Sequence, residues 1–116
     1  MAAPIKIVLS GSTDGKPIPV AATATAGTTI HTAGATGRDD LYLFASNVDS
    51  VAHTLTLEWG GTSDPGDLLI KAYSVPPNSP PIPLPLGQPL QNSKVVGAFA
   101  DSANKINITG YVIREV

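Results

Sequence analysis

Catalysis or metal binding by a small chain needs a nucleophile beside a base, or ligands clustered at a set spacing, so the histidines come first. There are two, His31 and His53, in separate extended segments with no third ligand placed near either. Each reads as a structural or surface residue, with a pH-sensitive role for His53, repeated by symmetry, as the functional alternative. Gly11-Ser12-Thr13-Asp14-Gly15 lacks the central serine of a nucleophile elbow, which argues against a hydrolase. Asp39-Asp40 and Asp64-Pro65-Gly66-Asp67 offer oxygens, but not at the spacing of a calcium-binding EF-hand loop, and Asp-Pro-Gly is first a turn. The chain has no cysteine, so thiol catalysis, thiolate metal sites and disulfides are excluded. The expectation is a protein that is not an enzyme, with no catalytic residue, metal, cofactor or small-molecule substrate.

The feature with most physical content is a proline run. Seven of the fourteen residues from Pro76 to Pro89 (PPNSPPIPLPLGQP) are proline. Proline fixes φ and removes a backbone donor, so this segment cannot be a helix or a central strand; it reads as a stiff strap lying extended across a surface or along a sheet edge. Pro77 and Pro80 satisfy P-x-x-P, the pattern of ligands for proline-binding domains, but the run is internal and interleaved with Ile82, Leu84 and Leu86. Those three would pack on a core or on a neighbour.

The elements around the strap alternate with period two. Ile5, Ile7 and Leu9 open a first strand, Asp14-Gly15 supplies a turn, and GTTIHTA (Gly27 to Ala33) is rich in β-branched residues. AGATGRDD (Ala33 to Asp40) reads as a loop. DLYLFASN (Asp40 to Asn47) and VAHTLTLEWG (Val51 to Gly60) form the clearest pair of strands. The first is apolar on both faces, as expected for a strand covered on both sides. In the second, Val51, His53, Leu55, Leu57 and Trp59 share the core face, with Leu55, Leu57 and Trp59 expected in the core, while Ala52, Thr54, Thr56 and Glu58 face solvent or a partner. DLLIKAYSV precedes the strap; KVVGAFA and KINITGYVIREV follow it, with Gly110 placed as a bulge or bend. Asn107-Ile108-Thr109 fits a glycosylation sequon but lies mid-strand. Eight or nine short strands without helical periodicity predict an all-β chain: an antiparallel β-sandwich, jelly-roll-like, in a single domain over 1–116 with the strap at 76–89.

Length and charge agree with one such domain. The chain has 116 residues, 14% of them charged, and a formal net charge of −2. A lightly charged surface is easier to keep soluble when neighbouring subunits cover it. The seven basic residues are scattered, so nucleic acid is not an expected partner. No run approaches the roughly eighteen apolar residues of a membrane helix, and MAAPIKIVLSGS has too short an apolar stretch for a signal peptide, so a soluble protein made in the cytoplasm is expected.

The full-length pattern resembles the small β-sandwich decoration, or cement, proteins of tailed bacteriophage heads. The similarity lies in PIKIVLSGSTDGKPIPV at the start, GTTIHTA, the pair LYLFASN and HTLTLEWGG, the proline-bearing connection, and VVGAFADSANKINITGYVIREV at the end. It implies a virion protein made in the host cytoplasm that binds the capsid exterior, contacts the major capsid protein and assembles as a homotrimer. The alternative is a receptor- or glycan-binding module of a phage spike or fibre, with Trp59 and Tyr73 as a sugar platform. No family residue is carried over by position. The residues themselves suggest the contacts: Pro76, Pro77, Pro80, Pro81, Ile82, Leu84 and Leu86 on the strap, with Tyr111 and Ile113 on the last strand.

Overall fold

A computed structural model describes residues 3–115. It contains nine strands: β1 (Ile5–Ile7), β2 (Ile18–Pro19), β3 (Thr28–Thr32), β4 (Arg38–Asn47), β5 (His53–Trp59), β6 (Leu68–Val75), β7 (Ile82–Leu90), β8 (Val95–Ala100) and β9 (Ile106–Glu115). The chain is folded like a doubled ribbon, its first half antiparallel to its second: β1 pairs with β9, β3 with β8, β4 with β7, and β5 with β6. The ribbon then curls so that β4 meets β9 and β5 meets β8. Two antiparallel sheets result, ordered β1-β9-β4-β7 and β3-β8-β5-β6, with β2 prolonging the β1 edge along β9. That is a jelly roll, the architecture expected from the strand pattern.

Turn chemistry sits where it was expected. Asp14 and Gly15 both have positive φ (56° and 83°), which only short polar residues and glycine adopt readily. Between the sheets lies one core, in which Leu41, Leu43, Leu55, Leu57, Ile106 and Ile108 are fully buried. Trp59 packs against this cluster while remaining half-buried.

The proline strap is β7, an edge strand of the first sheet. Pro83, Pro85 and Pro89 lack backbone donors, so this edge is poorly equipped to accept an added strand. Ile82 and Leu84 pack against the core and Leu86 stands 58% exposed, so the three apolar strap residues do not share a face.

Three expectations are corrected. Gly110 is not a bulge, because β4 and β9 run in unbroken register from Arg38↔Glu115 to Asn47↔Ile106 with Gly110 opposite Leu43. Its φ of 148° and the Tyr42 carbonyl, with which a Cβ would collide, explain the glycine instead. Thr56 and Glu58 do not face solvent. Thr56 accepts the Ala72 N–H (3.0 Å) at a bulge in β6, and Glu58 accepts the Gly27 N–H (2.7 Å) and the Thr25 hydroxyl, which holds the preceding loop against this sheet. Val51, expected on the core face, lies before β5 and is 55% exposed.

Candidate binding face

Alternation on β4 sends Leu41, Leu43 and Ala45 inward and Tyr42, Phe44 and Ser46 outward. The β4–β9 register then sets Tyr42 directly opposite Tyr111, and the two rings stack with centroids 4.9 Å apart at an interplanar angle of 11°. On one side the Lys6 ammonium lies 4.4 Å from the Tyr111 ring centroid, a cation–π contact. On the other, Leu86 is the register partner of Tyr42. A Cβ on Gly87 would come 3.3 Å from the Tyr42 hydroxyl oxygen, so the glycine leaves room for that ring. Phe44 sits between its partners Thr109 and Pro83, and Ile113 between Lys6 and Asp40.

The result is an outer sheet face with an apolar, aromatic centre and a charged upper rim. At that rim Arg38 donates to Asp40 (3.0 and 3.3 Å) and to Glu115 (3.0 Å). Exposed pairs of this kind add little stability, but they set the boundary of the apolar area.

Each polar staple lies at one end of the sandwich. At the rim end, buried Asp39 accepts from Arg114 (2.7 and 2.8 Å) and from His31 Nε2 (2.7 Å). The Ser10 N–H donates to His31 Nδ1 (3.0 Å), which fixes the tautomer with its proton on Nε2. The Arg114 guanidinium holds the Asp39 carboxyl down at about 2, against the opposing effect of burial and with help from His31. This network ties β3 of one sheet to β4 and β9 of the other.

At the opposite end three turns meet. Asn47 donates to the carbonyls of Val51 (2.8 Å) and Val75 (3.1 Å) and accepts from the Asp49 N–H (2.9 Å). The Asn78 N–H donates to the Asp49 carbonyl (2.9 Å), which fixes the start of the strap. His53 presents both ring nitrogens to carboxylates, Nε2 to Asp49 (2.7 Å) and Nδ1 to Asp101 (2.8 Å). The Asp49 hydrogen bond raises the His53 pKa against partial desolvation, with Asp101 adding to it; the same bond lowers that of Asp49. Around this clamp Val48, Val51, Pro76 and Pro77 are exposed.

Of the residues expected to make contacts, the fold brings Leu86, Tyr111 and Ile113 onto one outer face. Pro76, Pro77, Pro80 and Pro81 are exposed in the connection leading to β7, and Ile82 and Leu84 turn to the core. Tyr42, Phe44, Lys6, Val48 and Val51 were not among the contact residues expected from the sequence. The two-sided apolarity of β4 was the available signal for Tyr42 and Phe44; their partners depend on a register between segments far apart in the chain.

Trp59 and Tyr73 do not form a common platform. The Trp59 indole N–H donates to the Pro89 carbonyl (3.0 Å), while Tyr73 lies opposite Leu55, four residues from Trp59 and so about 13 Å along the strand. Among the described residues no group of three or more His, Asp or Glu side chains is gathered for a metal ion. Comparison with family models, curated proteins and solved structures finds no match.

Proposed function

We propose that this chain is a structural virion protein: a decoration, or cement, protein that binds the outside of a tailed-phage head and stabilises contacts between capsomers. It is made in the host cytoplasm, assembles as a homotrimer, and has the major capsid protein as its partner. The observation that carries the reading is the outer face of the first sheet, where Tyr42, Tyr111, Phe44, Leu86 and Ile113 form an apolar centre bounded by ion pairs. A protein partner suits that composition, since aromatic anchors within a polar rim are how protein interfaces are built. Nucleic acid does not suit it, since apolar residues fill the centre and Arg38 at the rim is engaged with Asp40 and Glu115.

The test is abundance in intact particles. Quantitative mass spectrometry of purified virions should find the protein at a copy number comparable to that of the major capsid protein. A few copies, confined to tail fractions, would favour the adsorption-module alternative, and absence from particles would end the virion reading.

A further inference from the structure

We infer that the outer face of the second sheet carries a binding groove for a short, neutral oligosaccharide, floored by Thr54 and Thr56 of β5 and Phe99 of β8. It lies on the opposite side of the sandwich from the Tyr42–Tyr111 face, so it is independent of the capsid contact proposed above.

Alternation on β8 turns Val96, Ala98 and Ala100 into the core and Phe99 outward, beside its register partner Thr56. Two adjoining hollows of about 370 and 190 Å³ meet at this ring and share Thr23, Asp64, Leu68 and Phe99. The larger alone has the size of a small-molecule site. Along the floor, Thr54 to Glu58 covers about 13 Å of strand, room for a short chain of sugar rings.

Both walls are built into the fold. On one side the Ala22 carbonyl accepts the Ala100 N–H (3.1 Å), and Glu58 holds Gly27 and Thr25. On the other the Thr56 hydroxyl accepts the Ala72 N–H (3.0 Å), and the Asp67 carboxylate accepts the Ser63 N–H (3.0 Å). A groove held open in this way loses little freedom on binding.

The lining mixes a flat ring and Leu68 with hydroxyls and carboxylates, and a sugar presents the same mixture, C–H faces edged by hydroxyls. Thr25 and Thr56 use their hydroxyls within the fold; those of Thr23, Thr54 and Thr62 have no such bond among the described residues. Asp101 gives one oxygen to His53 Nδ1 (2.8 Å), and a carboxylate has about four acceptor sites, so it can still accept from a ligand hydroxyl. Each charged group of the lining already has a partner: Asp64 holds Lys71 (3.1 and 3.0 Å), Asp101 holds His53, and Glu58 holds Thr25 and Gly27. A neutral ligand fits that balance. An extended peptide does not fit, because β5 is paired on both sides, by β6 and β8, and strand addition needs an open edge. Phosphate polymers would meet three carboxylates and a single lysine.

The experiment is an NMR titration of the ¹⁵N-labelled protein with neutral di- to tetrasaccharides of glucose, galactose or mannose at millimolar concentration. At least one should shift the amides of Thr23, Thr54, Thr56 and Phe99 saturably. Phe99→Leu removes the flat ring and Asp64→Asn the charged acceptor; each should weaken binding at least ~10-fold, with circular dichroism like the parent's. Asp64 is exposed, so the second variant keeps the test valid even if the first unfolds. The inference is overturned if no sugar gives saturable shifts, if the shifts map outside the groove, if the folded variants bind as the parent does, or if acidic saccharides bind more tightly than neutral ones. Those outcomes leave particle abundance, on which the virion reading depends, unaffected.

Discussion

Leu57 and His53 sit on the same strand and fail in different ways when changed. Leu57 is fully buried between the sheets, so Leu57→Ala should lower stability by about 2–5 kcal/mol in chemical denaturation. An unchanged transition would mean that the core is misassigned. His53 acts through its charge, since two carboxylates facing both ring nitrogens favour imidazolium. Its pKa is raised on folding, so its contribution is complete below the ordinary value of 6.5 and is lost as pH rises through the higher folded value. Asp49, lowered on folding, contributes above its ordinary value of 3.8 and loses that contribution as pH falls. Denaturation midpoints should therefore decline from mildly acidic to alkaline pH, and His53→Gln should flatten that decline. A slope identical to the parent's would remove the clamp as its cause.

At the scale of elements, β7 and β9 determine what the outer face can present. Along the strap the alternation is real, but which residues turn inward depends on pairing with β4, whose register shifts twice along β7. Leu84→Ser should therefore destabilise by about 1–2 kcal/mol, below the range for full burial, whereas Leu86→Ser should stay within about 0.5 kcal/mol. Equal losses would mean that the two leucines share an environment. In β9, Gly110→Ala should cost about 3 kcal/mol or more, since both its φ of 148° and the Tyr42 carbonyl oppose a Cβ. Near-parent stability would show that the β4–β9 ladder yields there. The glycine was visible in the sequence, but its cause was not, because the obstructing carbonyl belongs to a strand 68 positions away in numbering (Tyr42 against Gly110).

For the whole molecule, the accessible surface of 5878 Å² agrees with roughly 6,000 Å² expected of a monomer of this mass. Its extents of 47 × 28 × 20 Å give a flattened body whose broad sides are the outer faces of the two sheets. Assembly through one of those sides should make the purified protein a trimer by light scattering, with a β-dominated circular dichroism spectrum. A strict monomer at high concentration would remove the trimer from the proposed function and leave the fold untouched.

The sequence by itself determined the class of fold and most strand positions. Period-two alternation, the Asp14-Gly15 turn and the prolines act within a few residues of one another, and local sterics are enough to read them. It also limited the strap to a surface or a sheet edge, because a missing N–H has the same consequence in any fold. Only the tertiary structure decided which outward residues meet. Tyr42 finds Tyr111, Asp39 finds Arg114 and His53 finds Asp101 across large separations in sequence. Nothing in the spacing of those residues predicts their pairing, which depends on how the ribbon curls and on register, and a shift of one position would turn every side chain to the other face.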